Sequence, residues 1–119
     1  MEDKQLMEEV VRILDSKKAD DIRAIRIGDL TILADYFVIA AGNSNTQVKM
    51  LADEVEYQLS QKGVKPHSTK GYRSENWIVL DYSTVVIHIF LRETREFYNL
   101  ERLWAEGEQV DISHLLKQN

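Results

Sequence analysis

Trp77-Ile-Val-Leu-Asp-Tyr82, Ser83-Thr84, Val85-Val-Ile-His-Ile-Phe-Leu91 and the following Arg92-Glu-Thr-Arg-Glu-Phe-Tyr-Asn-Leu-Glu-Arg-Leu-Trp104 form the stretch on which the fold turns. Two apolar runs separated by two turn-forming residues predict a pair of strands joined by a tight hairpin. If Ser83 and Thr84 are the whole loop, Tyr82 faces Val85, Asp81 faces Val86, Val79 faces His88 and Trp77 faces Phe90. Successive side chains of a strand point to opposite faces. Ile78, Leu80, Tyr82, Val85, Ile87 and Ile89 therefore share one side of the sheet, which is nearly pure core. Trp77, Val79, Asp81, Val86, His88 and Phe90 share the other. That second face is apolar but holds an acid and a histidine one diagonal step apart, and a core alone does not account for it.

Upstream, Leu6, Val10, Ile13 and Leu14 recur at helical spacing, with Met7 and Val11 beside them, and predict an amphipathic helix over residues 3–18. Ile22–Ile27 alternates as an imperfect strand. After Gly28-Asp29, residues 30–34 suit a short helical turn. Asp35–Ala41 is apolar on both faces and predicts a buried central strand. Ser44 followed by Gln47 is a capping-box signature for a helix over about 45–62 that buries Val48, Leu51 or Ala52, Val55 and Leu59, with Gly63 as its left-handed stop. Val64–His67 contains Pro66 and predicts an edge strand. Ser68–Asn76 reads as a polar loop, Arg92–Trp104 as a helix, residues 105–110 as a connector, and Asp111–Leu116 as a short helix capped by Asp111. The order predicts one α/β sandwich domain over residues 1–119, with a mixed sheet of roughly five strands.

The 119 residues suffice for a core without covalent staples, and the chain holds no cysteine, so thiolate metal sites and nucleophiles are excluded. No apolar run approaches the roughly 20 residues of a membrane span. The acidic N-terminus resembles neither a signal nor a transit peptide, and the expected location is cytoplasmic. A net charge of −5 argues against a broad nucleic-acid footprint and for a basic protein partner. Seven of the ten aromatic residues lie between Tyr72 and Trp104, several beside arginines and acids, a mixture typical of interface hot spots.

The sequence offers three candidate chemical sites. The Gly42-Asn43-Ser44 turn joins a strand to a helix, where free amides cradle anions, but it matches neither the Walker nor the dinucleotide pattern and is explained as a helix cap. A nucleotidyltransferase or nucleotide hydrolase using Ser44 and Asp81 would need a second carboxylate near Asp81 to hold magnesium, and none stands two residues away. His67, His88 and His114 have no ligand partner at metal-binding spacing. His88 with Asp81 could form an acid–base pair, yet no nucleophile accompanies it. No enzyme activity, cofactor or metal is expected.

Ala34-Asp35-Tyr36-Phe37-Val38-Ile39-Ala40-Ala41-Gly42-Asn43-Ser44-Asn45, Gly71-Tyr72 with Trp77, Leu80-Asp81-Tyr82, Val86–Phe90 with His88, and Arg95–Trp104 together resemble the ribosomal silencing factor, or Iojap-like, family, over about residues 5–105. Ala41 replaces the family's usual threonine. The resemblance implies a nucleotidyltransferase-like fold without catalytic carboxylates. It also implies binding to the fourteenth protein of the large ribosomal subunit, steric block of subunit joining, repression of translation under nutrient limitation and a role in large-subunit maturation. A homodimer is compatible with it. Matched to the family's motifs, Trp77, Leu80, Asp81, Tyr82, His88, Arg95, Glu96, Tyr98 and Asn99 are expected to bind the partner, with aromatics as anchors and Asp81 and Glu96 as charge partners.

Overall fold

Helix α1 (Asp3–Ser16) buries Leu6, Met7, Val10, Val11, Ile13 and Leu14, so the whole widened stripe, Met7 and Val11 included, serves the core. The structure, a computed structural model, describes residues 1–28, 34–73, 76–98, 102, 105 and 107–117, with the side chains of residues 96–98 outside that description. The helical turn expected at residues 30–34 falls almost wholly outside the described residues. Strand β1 (Asp20–Arg26) leads to β2 (Tyr36–Gly42), helix α2 (Asn45–Gln61), β3 (Ser68–Lys70), β4 (Trp77–Asp81), β5 (Val85–Leu91), α3 (Arg92–Tyr98), β6 (Glu108–Gln109) and a 3-10 turn at Ser113–Leu115.

Both long helices end in the same way. In α1 the Lys18 amide donates to Asp15 O at 2.9 Å and the Ala19 amide to Leu14 O at 3.0 Å; in α2 the Gly63 amide donates to Ser60 O and the Val64 amide to Leu59 O. Each is a Schellman closure around a left-handed residue. Gly63 takes φ +76 as its sequence predicts, whereas α1 uses Lys18 at φ +63. Helix α2 begins as expected, the Ser44 hydroxyl accepting from the Gln47 amide at 3.1 Å. The Gln47 side chain closes the reciprocal half of the cap one residue earlier than a standard box, on the Asn43 amide at 2.7 Å.

The six strands lie in the order β3-β4-β5-β2-β1-β6, with β2 and β5 parallel at the centre and the other pairs antiparallel. The β4–β5 register pairs Trp77 with Phe90, Val79 with His88 and Asp81 with Val86, as the two-residue loop requires. Helices α1 and α2 pack together on one face, where Ala24, Val38, Ala40, Ile78, Leu80, Val85, Ile87 and Ile89 complete the main core. A smaller cluster of Ile25, Ile27, Ala34, Ile39 and Phe90, flanked by Phe37, Trp77 and Val86, occupies the opposite face.

Two expectations are corrected. The edge strand is Ser68–Lys70, not Val64–His67, because the pairing with Asp81, Leu80 and Val79 is made by the residues after Pro66. The sheet has six strands among the described residues rather than five, since Glu108 and Gln109 pair with Arg26 and Ile25. Beyond β6, Val110 donates its amide to Ala24 O, and Ile112 and Leu115 enter the main core. Asp111 accepts from the Ser113 amide at 3.0 Å and thereby starts the 3-10 turn.

Candidate protein-docking face

Side chains that pair across adjacent strands share a face, so the register maps the second side of the sheet row by row. One row runs Ser68, Asp81, Val86, Phe37, Ile25 and Gln109; the next runs Lys70, Val79, His88, Ile39 and Arg23; the third holds Trp77, Phe90 and Ala41. Along β4 the burial alternates strictly. Ile78 and Leu80 are buried toward the helices, while Trp77, Val79 and Asp81 are each partly exposed on this second face.

The centre of the face is aromatic. Trp77 stacks on Phe90 with ring centroids 4.9 Å apart, and the Phe37 ring lies 4.8 Å from the His88 imidazole. The Trp77 indole N–H donates to His88 Nδ1 at 3.1 Å. An unprotonated Nδ1 places the proton of a neutral imidazole on Nε2. That Nε2 is closed off from solvent and has no hydrogen-bond partner among the described residues. Burial drives the His88 pKa down from 6.5 to about 4. The ring is therefore neutral at physiological pH, which its role as acceptor demands.

This depression has a consequence for stability. Because the folded-state value lies below the unfolded one, the unfolded chain takes up a proton between pH 6.5 and 4 that the native chain refuses. Native stability is complete above about pH 6.5 and falls as pH drops through that window, by up to about 3 kcal/mol. Chemical denaturation of the wild type and His88→Leu at pH 7 and pH 4 isolates the effect: the wild type loses more stability than the variant on acidification. Equal losses would contradict it.

Asp81 has two faces of its own. One carboxylate oxygen accepts the Ser83 amide at 2.7 Å, closing the hairpin turn in which Ser83 adopts φ +70. Among the described residues nothing else engages that carboxylate, so its charge remains open to a partner.

The residues matched to the family motifs do not all meet here. Trp77, Asp81 and His88 share the face. Leu80 is fully buried and Tyr82 nearly so, both on the helix side, out of reach of any partner docked on this face. Burial pushes the Tyr82 hydroxyl pKa up. Arg95 is also buried; it reaches from α3 to the Asp21 carbonyl and carboxylate. Asp21, at φ +46, lies in the irregular stretch where β1 shifts register against β2, so Arg95 ties α3 to a bulge. The side chains of Glu96 and Tyr98, and Asn99 altogether, lie outside the described residues. Sequence reasoning missed Phe37 and Lys70 on this face and gave Val79 no binding role. Parity in the hairpin already placed Val79 there, whereas Phe37 sits in a run apolar on both sides, which carries no parity signal.

The Gly42-Asn43-Ser44 turn is engaged by its own surroundings. Ser44 and the Asn43 amide serve the helix cap, and Asn43 Oδ1 accepts from Arg92 Nε at 3.0 Å while Arg92 also pairs with Asp20 at 2.8 Å. Among the described residues no three His, Cys, Asp or Glu side chains are grouped to hold a metal ion. No described helix is long and apolar enough to cross a membrane.

Fold and face together define a small α/β sandwich in which two helices cover one sheet surface, while the other buries Ile25, Ile39 and Phe90 and leaves Trp77, Val79 and Asp81 partly exposed. The profile described as ribosomal silencing factor during starvation matches residues 1–119. The chain is 32% identical over 118 residues to ribosomal silencing factor RsfS of Bacillus subtilis, covering 99% of this chain and 100% of that one. It is 38% identical over 117 residues to the mitochondrial Iojap-related protein of Arabidopsis thaliana, covering 93% of this chain and 63% of that one. A crystal structure of a Chromobacterium violaceum protein superposes with a TM-score of 0.86 at 32% identity, over 95% of this chain and 93% of that one. The chain belongs to the ribosomal silencing factor family.

Proposed function

We propose that the protein binds the large ribosomal subunit through the second face of its sheet, docks on the fourteenth protein of that subunit, and keeps the small subunit from joining. Translation is thereby repressed by occupancy, with no bond made or broken. Family membership supports the ribosome as target. The observation that carries the choice of surface is the β4 strip of Trp77, Val79 and Asp81, an aromatic anchor, an apolar step and an open carboxylate, each partly exposed on one face. Four residues of strand separate Trp77 from Asp81 by roughly 13 Å, a span suited to a compact hot spot. A chain of net charge −5 is complementary to a basic ribosomal protein.

Asp81→Asn tests the charge without disturbing the turn, because the carboxamide oxygen still accepts the Ser83 amide. The expected result is ~10-fold weaker binding to isolated large subunits and a shallower dependence on salt, with unfolding free energy unchanged within about 0.5 kcal/mol. Wild-type affinity with wild-type salt dependence would remove Asp81 from the interface.

A further inference from the structure

We propose that His88 is a positioning residue: its Nδ1 holds the Trp77 indole in the orientation the partner meets, and His88 itself stays out of the interface. The proposal rests on the docking reading given above.

Three observations converge on it. First, the exposures divide the labour, since His88 is only 7% exposed and its Nε2 is closed off, while Trp77 is partly exposed. A partner on this face meets the indole, not the imidazole. Second, the composition around His88 is wrong for a residue chosen only to fill space. Its row neighbours are Val79 and Ile39, and Phe37 and Phe90 lie near its ring. An aliphatic or phenyl side chain would fit such a site with no polar atom of its own to satisfy, whereas the imidazole Nε2 finds no partner among the described residues. What the imidazole adds, and no apolar side chain supplies, is an acceptor for the indole N–H at 3.1 Å.

Third, the remaining freedom of Trp77 is restricted from other directions. Its ring stacks on Phe90 at an interplanar angle of 26°. Its main chain is approached so closely by Gly71 that an added Cβ there would stand 2.0 Å from the Trp77 carbonyl oxygen. Backbone, ring plane and ring direction are thus each set by a different neighbour. An aromatic anchor fixed before contact loses little conformational entropy on docking, which is how preorganisation raises affinity.

The test compares His88→Leu, which fills the site without an acceptor, with His88→Gln, which offers a carboxamide oxygen, and uses Trp77→Ala as the reference for the anchor. Binding to purified large subunits is measured by cosedimentation at pH 7.5, and the indole N–H signals of the free proteins by two-dimensional NMR, Trp104→Phe identifying which signal is Trp77. His88→Leu is expected to bind ~5–20-fold more weakly, the loss of one largely desolvated hydrogen bond, with faster solvent exchange of the Trp77 indole proton. His88→Gln is expected to recover both readouts to within ~3-fold of wild type. Wild-type binding by His88→Leu, beside defective Trp77→Ala, overturns this proposal alone. Equal loss in His88→Leu and His88→Gln overturns it in favour of direct contact by the imidazole. Wild-type binding by Trp77→Ala overturns the docking reading itself, and the positioning role with it.

Discussion

Replacing Trp77 by alanine is expected to weaken association with the large ribosomal subunit at least ~100-fold, the scale of a central hot-spot aromatic. The ring offers its outer surface to a partner while its inner surface stacks on Phe90 and its N–H is held by His88. Because the indole is only partly buried, its loss is expected to destabilise the fold by about 2 kcal/mol, less than for a fully buried aromatic. The helix-side core, with Ile78, Leu80, Ile87 and Ile89 fully buried, is untouched by the change. Circular dichroism and denaturation therefore show a folded chain while cosedimentation is lost. A folded Trp77→Ala variant that binds as wild type would move the docking surface elsewhere.

The second large effect is expected from Gly71→Ala. Gly71 sits at φ +92 just after the edge strand β3, a backbone conformation that side chains rarely adopt. A Cβ there would lie 2.0 Å from the Trp77 carbonyl oxygen and 3.2 Å from Ile78 Cα, both backbone atoms that no side-chain rotation can move away. Relief requires β4 and the segment after β3 to separate, so the cost is expected to exceed about 3 kcal/mol. The displaced strand is the one that carries Trp77, Val79 and Asp81. Unlike Trp77→Ala, Gly71→Ala should therefore lose stability and subunit binding together. Denaturation within about 0.5 kcal/mol of wild type would contradict the close approach.

Most of the fold is written locally. Strict alternation around Ser83-Thr84 gives the hairpin register, because one slipped residue would turn Ile78, Leu80 and Ile87 out of the core. Ser44, Gln47 and Gly63 likewise bracket α2 with side chains whose hydrogen bonding and conformational freedom are local properties. The edge strand is harder to read. Ser68, Thr69 and Lys70 pair with β4 through backbone atoms while their side chains are partly or fully exposed, so no hydrophobic pattern marks them. The two residues of β6 are both exposed and equally silent. The bulge in β1 is met by Arg95, 74 residues away in sequence, and no window around Asp21 contains that contact.

The face divides in the same manner. That Trp77, Asp81 and His88 lie together follows from parity in the hairpin. Leu80 and Tyr82, contiguous with them in the family motif, belong to the opposite side by the same parity, and the structure places them in the helix-side core. Motif adjacency and spatial adjacency are different things in a strand. The Trp77–His88 hydrogen bond, by contrast, joins residues on neighbouring strands two rungs apart in register and needs the coordinates to be seen.

The most direct measurement is sedimentation of the purified protein with isolated large subunits, before and after adding small subunits. One protein is expected to bind per large subunit, with a falling yield of joined ribosomes as the protein is added and both effects lost in Trp77→Ala. Joined ribosomes forming at full yield while the protein stays bound to the large subunit would contradict steric block, and no binding at all would contradict the docking face.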